Sequence, residues 1–599
     1  MKTNHISNWA VLLLTVSGMT ALPLTMSAQN LIVNGSAVTQ TGTHYESSSA
    51  EAALFIRSGT FNGTNIILTG TGPVGENASN AVRLDSGAAL SLYDSTINAF
   101  NGFALNTNAV TVYLQNTNVS SELSRGINVY NTASVVMVGG TVSSAANYAL
   151  FVDNASSFTG TDVSVVSGSS SGVYVNRSGS AVFRGKLQVT ADRSAIIATQ
   201  GGYVDLGEDA HLTGRGGIEV FTSGTVVGTN TEINGGVGGS GNAISISGTG
   251  SGLVSLVNPT AQNSGSGSLI SFGGSGTNTV EIAGGSLTAS GDSMGIVASG
   301  AFNTVKVSDG GSITGDVTGS GSATIDLGLT GTNSGITGDI TGSGDSSITI
   351  TGSDGAIITG TVSGNENAVI DLTVTGSDSI FTGDVIASGS SNVTVTGSDD
   401  ATITGNITGS EDSTITIGGD GNIIIGDLTG SGSSTIDLDL TGSNSGVTGD
   451  ITGSGDSQIV ITGSDGVIIT GTVTGNNDSV IDITVTGSDS IFTGDITASG
   501  SSNVTVTGSD SATITGNITG SEDSTVTIGG DGPIIIGDVT GSGSATIDLD
   551  LTGTNSGVTG DITGSGDSKI TITGCDGAII NGTDPVRTQY PLTNRVSGR

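Results

Sequence analysis

A single cysteine, Cys575, stands in 599 residues, so no intrachain disulfide can hold the fold. Prolines number six, aromatic residues make up 4%, and fourteen basic residues face fifty-two acidic ones. So few aromatics, with only 34% apolar content, exclude the dense core of an ordinary compact enzyme. The net charge of −38 opposes long-range attraction to nucleic acid and to anionic membrane. Cations and neutral or basic surfaces remain open as partners. What is abundant is glycine, 101 residues of it, with much Ser and Thr. Such a composition would ordinarily leave a chain disordered, because too little apolar surface is available to offset chain entropy. Placement overrules composition here, since Ile and Val recur at fixed intervals.

Lys2 and His5 precede an apolar stretch from Trp9 to about Ala28 that Thr15, Ser17, Gly18 and Pro23 interrupt. A membrane-spanning helix needs about 20 predominantly apolar residues. The interrupted stretch has instead the layout of an export signal, with cleavage expected after Ala28 although Met26 is large for its place. No later stretch is suited to span a bilayer as a helix.

The chain repeats itself on two scales. Thr318-Gly319-Ser320-Gly321 returns at Thr429 and at Thr540, a period of 111 residues. Inside that period a shorter step, an apolar residue followed by Thr/Ile-Gly-Asp/Asn/Thr, falls at Thr337, Thr359, Thr382, Thr404, Ile425 and Thr448, with intervals of 22, 23, 22, 21 and 23. Near-identical long copies indicate duplication, and the short step is the physical unit. From Thr337 to Ile358 the short unit places Ile340, then Ile348 and Ile350, then Ile357 and Ile358 on three β-prone runs separated by Gly/Ser/Asp turns. Three strands and three turns make one rung of a parallel β-helix, whose rungs stack at about 4.8 Å.

Stacking predicts columns of constant chemistry. The residues just before the marker read Ile313, Ile336, Ile358, Phe381, Ile403, Ile424, Val447, Ile469, Phe492, Ile514, Ile535, Val558 and Ile580, all apolar. Two further columns run Ile348, Ile370, Val393, Ile415, Ile436 and Ile350, Leu372, Val395, Ile417, Leu438. β-Branched residues suit such ladders because their stiff side chains lose little freedom on a pleated surface. Earlier in the chain a small residue followed by apolar positions recurs at Ala81, Ala104, Gly126, Ala149, Gly172 and Ala195, then with looser spacing at Gly217, Ala243 and Gly295.

The expected fold is all-β: a single-stranded right-handed parallel β-helix (solenoid) of about 23 rungs of 21–28 residues, roughly 110 Å long at the strand spacing. The expected organisation is a signal peptide at 1–28, an N-terminal cap at 29–52, irregular rungs at 53–315, near-identical 111-residue units at 316–583 and a non-repeat tail at 584–599.

The small-apolar-x-apolar rung starts and the TGDITGSG-type turns, in an exported and cysteine-poor chain, resemble the passenger domains of bacterial autotransporters, the pertactin-like and diffuse-adherence adhesin types of type V secretion. The resemblance covers most of the chain after residue 28. It implies an exported, non-catalytic surface or secreted protein of adhesin-like or spacer role, monomeric, with host or neighbouring cell-surface glycans or proteins as partners. It also implies a C-terminal outer-membrane β-barrel, of which the 599 residues contain none. Pro585, Pro591 and three Arg in the last thirteen residues break the rung period. A natural polar cap and a truncated or frame-disrupted passenger both account for that tail, and the expectation here is truncation.

Catalysis is the rival reading, a secreted polysaccharide lyase or hydrolase. Such sites combine carboxylates with Arg or Lys. Between Arg215 and Arg587 there is no Arg, and only Lys306 and Lys569 are cationic, so a site in the repeat half is not expected. A hidden one would draw on His44, Arg83, Arg184, Lys186, Arg193, His211 or Arg215. No catalytic or cofactor-binding residue is assigned, and no cofactor is expected beyond weak Ca²⁺ binding. For Ca²⁺ the candidates are the stacked Asp316, Asp339, Asp384, Asp427 and Asp450, interrupted by Thr361 and Asn406. Oxygen ligands on adjacent turns suit that ion, but Asp is also an ordinary turn residue, and that is the preferred reading. Gly418-Gly419-Asp420-Gly421-Asn422 resembles a glycine-rich calcium nonapeptide, with Ile423 where its second Asp would stand.

Overall fold

The computed structural model describes residues 27–28, 30–48, 51–72, 80–300, 302–464, 466–574 and 579–580. Residues 1–26 of the signal expected at 1–28, Cys575 and the tail at 584–599 lie outside the described residues. Among those described there is no helix, and each strand pairing is parallel. The chain is a parallel β-solenoid. It divides into two compact units, one reaching Lys306 and taking Gly311–Gly315, the other taking Val307–Gly310 and continuing from Asp316.

In the first unit a turn is three short strands, for example Leu105–Asn108, Thr111–Gln115 and Asn118–Ser121, stacked on Ile127–Tyr130, Ser134–Val138 and Thr141–Ser144. Register follows chemistry. Val82, Leu105, Ile127, Leu150, Val173, Ile196, Ile218, Ile244, Ile270 and Ile296 stand above one another and are buried. The looser spacing after Gly217 hid one member of this series, Ile270. The segment expected as a cap carries Leu31–Thr41 and His44–Ser47, which already pair in parallel with Leu54–Thr64 and Ile67–Gly70. Ser27–Ala28 likewise pairs with His44–Tyr45.

The second unit holds the copied turns. Ile348, Ile370, Val393, Ile415 and Ile436 stack in register, as do Ile350, Leu372, Val395, Ile417 and Leu438, and all are buried. Burying each such side chain contributes roughly 1.5–3 kcal/mol. One expectation fails. Ile424 and Ile535 belong to no apolar column; they are 39% and 41% exposed. Strand Asn422–Gly430 sets Ile423 on Ile403 and Ile425 beneath Val447. Side chains alternate across a strand, so the residue between two inward Ile must point out. The 21-residue turn absorbs the difference as a register shift between Gly405 and Ile407.

Polar residues are used as systematically as apolar ones. In the TGD column the backbone N–H of Asp339 donates to Asp316 Oδ1 (2.9 Å), that of Thr361 to Asp339 Oδ1 (2.9 Å), that of Asn406 to Asp384 Oδ1 (3.0 Å) and that of Asp450 to Asp427 Oδ1 (3.0 Å). Each carboxylate thus satisfies an amide that the turn would leave unpaired. A second column is serine: Ser413, Ser434, Ser457, Ser479 and Ser524 are buried, and each accepts an N–H from the residue three positions earlier at 3.0–3.1 Å. Part of the acidic and serine-rich composition is therefore turn chemistry.

A prediction follows from the carboxylate ladder. Asp339→Asn keeps an acceptor for Thr361 and removes repulsion from Asp316, so melting should be unchanged or slightly raised. Asp339→Ala strands the Thr361 amide and should cost about 1 kcal/mol. Equal thermal melting of these two variants would contradict the ladder's role.

Candidate functional site

Two outward columns of the first unit converge. The strand column runs Phe55, Arg83, Asn106, Asn128, Phe151, Tyr174, Ile197 and Glu219, each in register with the next. The turn column stands two residues before each strand and holds Phe103, Arg125 and Tyr148. It is fixed by the N–H of Ala104 donating to Arg125 O (3.2 Å) and that of Gly126 donating to Tyr148 O (3.3 Å). Inward residues fill the core at those turns, so these larger side chains pack against one another on the outside.

The result is a cation set in rings. The Arg125 guanidinium lies 3.6 Å from the Phe151 ring centroid, 5.7 Å from Phe103 and 5.9 Å from Tyr148. Phe151 and Tyr174 stack at 5.3 Å and 16°, and Tyr148 and Tyr174 meet at 4.6 Å and 40°. Arg125 Nη1 donates to Asn128 Oδ1 (2.6 Å), and Asn128 Nδ2 donates to Asn106 Oδ1 (2.8 Å). Burial pulls the Arg125 pKa below its ordinary value, and the nearby Tyr148, Asp153 and Tyr174 partly offset this. Burial also raises Tyr174, helped by Tyr148 and Asp153. Asp153 is buried and gripped through both oxygens by Nε and Nη2 of Arg177, and that bond raises Arg177.

A groove of about 670 Å³ lies on another face of the same unit, lined among others by Asp162, Lys186, Gln188, His211, Glu232 and Asn234. His211 Nδ1 and Glu232 Oε2 are 2.7 Å apart, and Asn234 Nδ2 donates to Glu232 Oε1 (2.9 Å). Those bonds, Asn234's first, hold the Glu232 carboxyl below its usual range. Asp162 Oδ1 accepts the Lys186 backbone N–H at 2.9 Å.

Of the His, Arg and Lys residues singled out in the sequence, Lys186 and His211 line one groove. Arg184 pairs with Asp205 (2.8 Å) and Arg215 with Asp192 (2.7 Å), while Arg193 is exposed. Arg83 lies over Phe55 at 4.9 Å and 3.6 Å from Asp85. His44 Nε2 meets Thr69 Oγ1 at 3.2 Å. The Asp316, Asp339, Asp384 and Asp427 carboxylates serve turn amides as described, Asp450 Oδ1 likewise accepts the Thr472 N–H (2.9 Å), and Asp420 Oδ1 accepts the Asp399 N–H (3.2 Å). Among the described residues no group of three or more His, Cys, Asp or Glu is arranged to hold a metal ion.

Sequence reasoning missed the Arg125 cluster. Its signal was available: Phe103, Arg125 and Tyr148 occupy the same place relative to successive rung starts at Leu105, Ile127 and Leu150. No protein-family model matches the chain, and no curated protein was found to be similar to it.

Proposed function

We propose that this is an exported, adhesin-like surface passenger in which the first unit recognises a partner and the second is a spacer, acting by binding without turnover. One observation carries the reading. The clustered, partly exposed rings and most of the cations, with the grooves they line, belong to the first unit, while the second unit's described rings, Phe381 and Phe492, are buried and many of its Asp and Ser side chains form internal ladders. Copied turns lengthen a stack without adding a unique site.

The test is deletion of residues 427–537, one 111-residue period, which rejoins Gly426 to Asp538 in register. The second unit should shorten by five strand spacings, about 24 Å, with melting and attachment to target cells unchanged. Loss of attachment would assign recognition to the repeats and reject the spacer role. The groove around Lys186, His211 and Glu232 favours the second reading, a secreted carbohydrate-active enzyme. Release of new sugar ends from acidic or neutral polysaccharides would establish it instead.

A further inference from the structure

We infer that the Arg125 cluster is a binding site for an acidic sugar, a pyranose bearing a carboxylate within a glycan. The inference rests on the recognition role proposed above for the first unit.

The cation comes first. The Arg125 guanidinium carbon sits 3.6 Å from the Phe151 ring centroid and the group is tied at one nitrogen to Asn128, so its planar fork is held in place before any ligand arrives. Among the described residues no carboxylate pairs with it. A guanidinium presents five N–H donors in a geometry that matches a carboxylate. One is committed to Asn128, and partial burial strengthens a charge-assisted bond made by the others. Asp153 lies close, but Arg177 neutralises it, so Arg125, Arg177 and Asp153 together carry one positive charge on a chain of net charge −38. An anion is favoured locally where the molecule as a whole repels it.

The rings then choose among anions. Phe103, Tyr148 and Tyr174 are half-buried, offering apolar faces with phenolic hydroxyls at two of their edges. A ligand that suits them has a flat apolar face and hydroxyls on its rim, which a sugar ring has and a bare phosphate lacks. Asn106, next to Asn128 in the strand column, adds amide chemistry suited to hydroxyls.

Calorimetry with the full chain tests this, using trigalacturonate, neutral galactotriose, inorganic phosphate and polyglutamate as probes. Trigalacturonate should bind at least tenfold more tightly than the other three. Arg125→Gln should remove that preference, Arg125→Lys should keep the charge but lose several-fold affinity with the fork, and Tyr174→Ala should weaken binding of both sugars. Unchanged melting of Arg125→Lys and Tyr174→Ala guards against a folding defect, so the inference stays testable if Arg125→Gln does not fold. Equal affinity for the two sugars, or an Arg125→Lys variant that binds like the parent, overturns the proposal. Preference for phosphate or polyglutamate overturns it too, in favour of a charge-only or acidic-peptide site. Attachment to cells, measured in parallel, separates the two levels. Cell binding that survives without glycan binding rejects only the acidic-sugar inference, whereas a chain that binds no cell rejects the recognition role beneath it.

Discussion

Ile423→Asp should open its turn to protease and cost several kcal/mol, while Ile424→Asp, one residue along the same strand, should leave melting and protease resistance near those of the parent. Ile423 is 0% exposed and stacked on Ile403, whereas Ile424 is 39% exposed. A carboxylate placed in the apolar column loses its hydration and finds no cation, because Ile403 lies on one side and Ser445, whose hydroxyl is already bonded to the Ile423 N–H and to Gly421 O, on the other. At Ile424 it meets water. In a stack where each turn contacts its neighbours, the damage should be local, so the sensitive measurement is mass spectrometry of limited-proteolysis fragments. Cleavage of Ile423→Asp should concentrate near residues 400–450. The period-related pair should repeat the contrast, with Ile534 fully buried and Ile535 41% exposed. If Ile424→Asp proves the damaging variant, the strand's faces are reversed and the register of that turn is wrong.

That contrast marks how far the fold could be read from the sequence. The columns through Ile348 and Ile350 were legible because a stacked turn forces equivalent positions into one environment, so chemistry is conserved down the column. Ile424 was misread because its column was drawn by marker spacing alone. In a run of three Ile, spacing cannot say which one points out; the pairing with Ile403 below and Val447 above does. The Asp column was legible as a column but not as a ladder. Like charges on adjacent turns repel by roughly 1 kcal/mol per pair in water, and the compensating amide of the next turn is a backbone donor that side-chain identities do not display. The Arg125 cluster was hidden for a different reason. Outward columns are not obliged to be uniform, so Asn106, Asn128, Phe151 and Tyr174 show no pattern until register places them side by side.

Glycine abundance, which by composition pointed to disorder, gives the second large effect. Gly530→Ala should destabilise its turn by about 3 kcal/mol or more, whereas Gly328→Ala should be neutral or stabilise slightly. Gly530 has φ +132°, and a Cβ there would sit 1.7 Å from the Gly508 carbonyl oxygen, its partner one turn below. Two costs combine. An L side chain is strained in that backbone region by about 1–3 kcal/mol, and the clash is with backbone, which cannot rotate aside. Relief requires separating the two turns, and that breaks the hydrogen bonds between the strands on either side. Gly328, inside strand Thr324–Thr330, would place a Cβ with nothing within 4 Å. Alanine there only reduces the freedom of the unfolded chain, a gain of about 0.4–1 kcal/mol. Gly419, one period earlier with φ +126° and the Gly397 oxygen 1.8 Å from its Cβ position, should respond as Gly530 does. Thermal melting with limited proteolysis of these three variants decides the matter. A Gly530→Ala chain as stable as Gly328→Ala would mean that the turns are not packed this closely, and that glycine serves there only as a flexible turn residue.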